Sequence, residues 1–371
     1  MTGTAGKQLT SQLDADGTLT VQLIDQTFPA PTGHEVLIRV EGAPINPSDL
    51  GLLFASADVE NATYSPSKVV AQMPPPALRA MGARYGQALP VGNEGAGTVI
   101  AAGEAEEARA LLGKLVACVP GGMYATHRVV DARACMTLPD GITAEQGAAA
   151  YVNPLTALGF VETMRRDGFT GIVHTAAASN LGQMLVKICR EDNVPLVNVV
   201  RSPEQVAMLK ALGAEHVVDT SSDTFLADLS AAIEATGAMC LFDAIGGGKL
   251  VSQVLTVMEQ AANKGAAYSR YGSSSPKHAF IYGALDLSPT VLNRSFGFSW
   301  GVSGWLLTPF MAKAGEHVVE RMRARVRDGL TTTFASAYKA RVSLEQALTR
   351  DAVLEYNARR TGEKYLIVPN S

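Results

Sequence analysis

The residues best suited to chemistry form one short turn and one cation. Ala178-Ser179-Asn180-Leu181-Gly182 follows an apolar run, Ile172 to Thr175. It precedes a segment in which Met184, Leu185, Ile188 and Cys189 fall on one face of a helix. A small-residue turn between strand and helix aims the first N–H groups of the helix outward, where they hold an anion such as a pyrophosphate. A second apolar run, Leu196 to Val200, ends in Arg201 and Ser202, and a third, His216-Val217-Val218, closes on Asp219. Strand, turn, helix, strand, helix, strand is the order of the dinucleotide-binding half of a doubly wound sheet. Of the three glycines in a full fingerprint only Gly182 is present. Nineteen residues later, where an acid would accept from a ribose 2′-hydroxyl, stands Arg201. A guanidinium there pairs with a 2′-phosphate, with Ser202 as a second donor, so the cofactor read from the pattern is NADPH. A solvated arginine at a strand end, in a fold that has lost its cofactor, is the alternative.

The elements that must position these residues fall into two textures. Leu19, Val21 and Leu23, then Val36, Ile38 and Val40 after a Pro31-Thr32-Gly33 turn, alternate as strands do. Further strands are expected within 92–102, 116–119 and 125–130, giving a small β-rich domain over roughly the first 140 residues. Thr143 with Gln146 makes a capping box, and from there to about residue 330 strands alternate with helices, as in a parallel sheet covered on both faces. Gly246, Gly247 and Gly283, the last beside Tyr282, end strands at the carboxyl edge where the ligand crevice of such a sheet lies. A charged helix is expected over 316–329, and a closing strand, Tyr365 to Val368, returns to the first domain. Residues 55–84 show poor strand periodicity and read as a surface excursion or a lid. The stretch Phe296 to Phe310 reads as a packed helix or the lining of an acyl pocket.

Composition narrows the class. With 47% hydrophobic and 18% charged residues, the 371-residue chain fills two ordinary domains. A net charge of −4 without a basic cluster argues against a nucleic-acid partner. No apolar run reaches the length of a membrane span, and the first residues lack the pattern of a signal peptide, so a cytoplasmic location is expected. The four cysteines, Cys118, Cys135, Cys189 and Cys240, form no CxxC pair; neither a zinc lobe nor a disulfide is expected. His127, His174 and His216 lie in apparent strands and read as satisfied histidines.

Taken together, GHEVLIRVEGAPINPSDL (33–50), LPVGNEGAGTVIAAG (89–103), the segment 124–162 with its VNPLTA, the turn-and-arginine stretch, FDAIGG (242–247) and RRTGEKYLIVP (359–369) resemble the medium-chain dehydrogenase/reductases, in their zinc-free branch of quinone oxidoreductases and 2-enoyl thioester reductases. The resemblance implies an α/β chain: a GroES-like β-rich catalytic domain over 1–150, completed by 335–371, and a Rossmann NADPH-binding domain over 151–334. Zinc-dependent relatives carry a cysteine near Pro44 to Asp49 and a histidine before Glu94; here there is no cysteine, and Asn93 stands in the second place. Asparagine is a poor zinc ligand, so no metal is expected.

By the same resemblance Asn46 and Thr156 line the nicotinamide and acceptor pocket, and Tyr85, with Tyr64 as rival, supplies a proton. Asn46 also reads as a turn residue before Pro47, and either tyrosine as a packed aromatic. The implied activity is NADPH-dependent, metal-independent hydride transfer to a quinone or activated alkene, by a homodimer acting on a small molecule. A 2-enoyl thioester reductase, and a non-catalytic NADPH-binding sensor or scaffold, are the other readings.

Overall fold

The computed structural model describes residues 3–79, 81–358 and 364–370. Residues 359–363 of the RRTGEKYLIVP segment therefore lie outside the described residues. The chain divides into two compact units, Met1–Val152 with Arg323–Ser371, and Asn153–Met322.

The first unit opens with β1 (Thr4–Leu13), β2 (Thr18–Phe28) and β3 (Glu35–Pro44). β4 (Thr63–Ser65), β5 (Lys68–Gln72), β6 (Leu89–Pro90), β7 (Gly95–Ala102), β8 (Leu115–Cys118), β9 (His127–Asp131) and β10 (Met136–Thr137) follow. One sheet runs β4-β5-β2-β1-β6; in the other, β10-β8-β7-β3 continues the path and β9 also pairs with β3. The alternation in β2 and β3 buries Leu19, Val21, Val36, Ile38 and Val40 in one apolar core. The reading of 55–84 as an irregular excursion needs correction for its central part. β4 and β5 form a hairpin, and β5 pairs antiparallel with β2, with Val69 and Ala71 buried. Strands of three and five residues give too few alternations to register as a period.

The second unit holds β11 (Ile172–His174), β12 (Leu196–Val200), β13 (His216–Asp219), β14 (Cys240–Asp243), β15 (Gly246–Gly248), β16 (Lys277–Ile281), β17 (Asp286–Thr290) and β18 (Trp300–Gly304). Its main sheet is ordered β13-β12-β11-β14-β16-β18 and is parallel throughout. The order reverses between β11 and β14, the switch point beside which ligands bind in such sheets. Every residue of β12 is buried, as expected of a strand covered on both faces. Within 296–310 the chain forms strand β18 before the helix Leu307–Ala314, which corrects the reading of that stretch as a helix. Its register against β16, from Lys277 opposite Trp300 to Ile281 opposite Gly304, overrides the local pattern.

After the helix Glu316–Asp328 the chain adds β19 (Ala340–Val342) and β20 (Tyr365–Ile367) to the first unit. β20 lies antiparallel to β3, with Leu366 opposite Pro44 and Ile367 opposite Ala43. Among the described residues no helix is long and apolar enough to cross a membrane.

Candidate functional site

In the second unit the predicted turn connects β11 to the helix Asn180–Glu191. Ser179 caps that helix, its hydroxyl oxygen accepting from Gly182 N at 3.1 Å. Gly182 is required by packing: a Cβ there would lie 2.1 Å from the Ala177 carbonyl oxygen. Ala176 takes the left-handed conformation (φ 50°), a position where glycine is less strained. Gln183 steadies the turn by donating to Ala178 O (2.9 Å). One strand over, Arg201 follows β12 with its side chain exposed, at the same edge of the sheet as the turn. Ser202 is already engaged: its oxygen caps the helix Pro203–Ala211, accepting from Gln205 N at 3.4 Å, and its hydroxyl holds the Glu204 carboxyl below its usual range.

Two residues that sequence reasoning passed over shape the next loop. The Thr175 hydroxyl donates to Asp243 Oδ1 (2.7 Å) and accepts from Ala244 N (2.8 Å). Asp243 also accepts from Ile245 N at 3.2 Å and Gly246 N at 2.8 Å. This buried carboxylate folds the glycine loop after β14, so Asp243 of FDAIGG was the available signal. Gly246 (φ 83°) and Gly283 meet because neither has a side chain: a Cβ on Gly283 would lie 2.5 Å from Ala244 O, and one on Gly246 2.9 Å from Gly283 O. Gly247 sits against Asp286 and Ser288 of β17 in the same way.

At the ends of β11 and β16 the imidazole Nε2 of His174 lies 2.8 Å from the Tyr282 hydroxyl. His174 is fully buried, and burial pushes its pKa down to about 3, so the ring is neutral. Phe160, on the helix Val152–Arg166, stacks on Phe242 (4.1 Å between centroids) and also contacts His174, Tyr282 and Trp305. Thr156 is buried one turn earlier on the same face of that helix.

In the first unit a buried polar cluster surrounds the other predicted residue. Asn46 precedes the helix Pro47–Leu53, and its side-chain amide donates to Glu94 Oε1 at 2.8 Å. Glu94 Oε2 accepts from Tyr151 N (3.0 Å) and Val152 N (2.8 Å). Asp49 accepts from Asn46 N (2.8 Å) and Asn93 N (2.7 Å), and burial raises its pKa to about 7. Burial likewise pushes Glu94 up and Lys364 down, opposed by the attraction between the two. Among the described residues, Asn46 Oδ1 and Lys364 Nζ are buried without a hydrogen-bond partner. The two tyrosines stand apart from this cluster's hydrogen bonds: Tyr85 donates to Leu78 O (2.7 Å) and Tyr64 to Val59 O (2.6 Å).

A six-stranded parallel sheet with a strand–turn–helix at its switch point defines the class, an α/β protein of dinucleotide-binding architecture. Residues 180–276 match the family described as zinc-binding dehydrogenase. The chain is 30% identical to the mitochondrial enoyl-[acyl-carrier-protein] reductase of Xenopus tropicalis over 197 residues, 51% of this chain and 49% of the relative. It is 30% identical to a quinone oxidoreductase of Pseudomonas aeruginosa over 159 residues, 42% of this chain and 49% of the relative. The chain thus spans about half the length of the curated relatives it matches. Over 98% of both chains it superposes, with a TM-score of 0.75 and 26% identity, on a crystal structure assigned as an NADPH:quinone reductase from Mesorhizobium loti. These likenesses support the medium-chain dehydrogenase/reductase superfamily, in its zinc-free branch, and the two units are consistent with GroES-like and Rossmann-like sheets.

Proposed function

We propose that this chain is an NADPH-dependent, metal-independent reductase that passes hydride to a quinone or another activated C=C–C=O acceptor. The observation that carries the cofactor is the exposed guanidinium of Arg201, beside the Ala178–Gly182 turn at one edge of the sheet. The residues fit the group. The turn from Ala178 to Gly182 would hold the pyrophosphate, Arg201 the 2′-phosphate, and Gly246, Gly247, Tyr282 and Gly283 the remainder of the dinucleotide. When bound, NADPH supplies the hydride. On the acceptor side, the family resemblance offers Asn46 in the first unit and Thr156 in the second, each taken by itself, as candidates to orient the substrate. Tyr85 and Tyr64 already donate to main-chain carbonyls, which favours water as the proton source. Asn93, with no thiolate in Pro44–Asp49, is a donor set unsuited to zinc. A homodimer, which rests on the family resemblance, and a cytoplasmic location belong to the same proposal.

The test is NADPH oxidation followed by absorbance, first with 1,4-quinones and then with crotonyl thioesters. Turnover on quinones supports the proposal. The match to an enoyl reductase over 197 residues favours a second reading, a 2-enoyl thioester reductase, and turnover confined to the thioester establishes it. NADPH binding with no turnover on either replaces both with a sensor or scaffold.

A further inference from the structure

Two cysteines meet across neighbouring strands of the first unit. β10 runs antiparallel to β8, with Met136 opposite Ala117 and Thr137 opposite Val116. One step along the same register, Cys135 stands opposite Cys118. Cys135 has extended backbone angles, φ −86° and ψ 140°, so the register carries through it. Opposite residues in antiparallel strands share one face of the sheet.

Such pairs alternate between hydrogen-bonded and non-hydrogen-bonded kinds. Leu138 N bonds to Leu115 O at 3.0 Å, which makes that pair one of the first kind. Stepping through 137/116 and 136/117 makes Cys135/Cys118 one of the second. In agreement, Cys135 N bonds to Ala132 O (3.0 Å) and not across the strands. Non-hydrogen-bonded pairs bring Cα atoms to about 4.5 Å, inside the roughly 4.4–6.8 Å that a disulfide spans. Both thiols are free, Cys118 buried and Cys135 half-buried. Their hydrogen bonds to other groups are weak: Met123 Sδ at 4.0 Å for Cys118 and Asp131 O at 3.8 Å for Cys135.

We propose that Cys118 and Cys135 form an oxidation site, a dithiol that closes to a disulfide under a hydroperoxide. The more accessible Cys135 sulfur attacks the peroxide O–O bond, gaining an S–O bond and releasing water or alcohol. The Cys118 sulfur then displaces the sulfenic hydroxyl as a second water, forming the S–S bond. Two thiols are oxidised by two electrons and one peroxide bond is reduced. The site adjoins the Glu94 cluster: Gly95 is opposite Cys118 on β7, and Ala134 O accepts from the Tyr151 hydroxyl at 3.0 Å.

The test takes the full chain, fully reduced, and exposes it to hydrogen peroxide. Thiols titrated after unfolding fall from four to two, and dithiothreitol restores four. Trypsin cuts after Arg128 and Arg133, so the bridge appears as two peptides joined through Cys118 and Cys135. Cys135→Ser, at a half-buried position that tolerates it, and Cys118→Ala each keep three thiols. Four thiols remaining in the oxidised wild type overturns the assignment. So does loss of thiols without the joined peptides, or a bridge that includes Cys189 or Cys240.

Discussion

The Asn46 side-chain amide donates to Glu94 Oε1 across 2.8 Å, joining residues 48 apart in the chain. The other carboxylate oxygen of Glu94 takes the main-chain N–H groups of Tyr151 and Val152, so one buried side chain satisfies three donors. Glu94 thereby sets the orientation of Asn46, whose Oδ1 has no hydrogen-bond partner among the described residues.

Replacing Glu94 tests this directly. Glu94→Ala leaves three buried donors bare and is expected to cost about 3 kcal/mol or more. Glu94→Gln keeps the shape but sets an NH2 group against a donor, at a cost of about 1–2 kcal/mol. Urea unfolding of the three proteins checks the order, and an alanine variant as stable as the wild type would refute it.

His174 predicts a dependence on acid. Its folded-state pKa of about 3 lies below the unfolded value of 6.5. The neutral ring therefore contributes its full stability above pH 6.5, and that contribution is lost as pH falls toward 3. By pH 5 the loss from this one group amounts to about 2 kcal/mol. Unfolding free energies at pH 7.5 and pH 5, compared between wild type and His174→Gln, isolate it; an equal drop in both proteins contradicts the assignment.

Arg201→Ala is expected to weaken NADPH binding about 10–100-fold, the range of a lost charge-assisted hydrogen bond of about 1.5–3 kcal/mol. NADH, which lacks the 2′-phosphate, is expected to bind the variant and the wild type alike. Nicotinamide fluorescence titrations measure both, and a parallel loss for the two cofactors would remove the phosphate role.

Glycine substitutions separate packing from propensity. Gly182→Ala drives a methyl group into main chain at 2.1 Å and is expected to destabilise the fold by about 2 kcal/mol or more, with loss of cofactor binding. Gly51→Ala, in the helix Pro47–Leu53 with nothing within 4 Å of its Cβ, is expected to stabilise by about 0.5–1 kcal/mol. Thermal unfolding of both variants reads the two signs, and a neutral Gly182→Ala would show that the turn yields.

The turn from Ala178 to Gly182, Arg201 and the strands around them were legible in the sequence because each depends on residues within one turn or one period of its neighbours. A buried parallel strand such as Leu196–Val200 announces itself as an unbroken apolar run, and a cap such as Ser179 lies three residues from its target. The hairpin within 55–84 and the strand within 296–310 were not legible. Their periods are short, and pairing with β2 and β16 outweighs what they carry locally. Only the tertiary structure decided that Asn46 answers to Glu94, Thr175 to Asp243, His174 to Tyr282, and that Cys118 faces Cys135. The physical reason is the same in each case: hydrogen bonds and cross-strand contacts act over a few ångströms of space, while the separations that bring these residues together, from 17 to 108 positions, leave no trace in local composition.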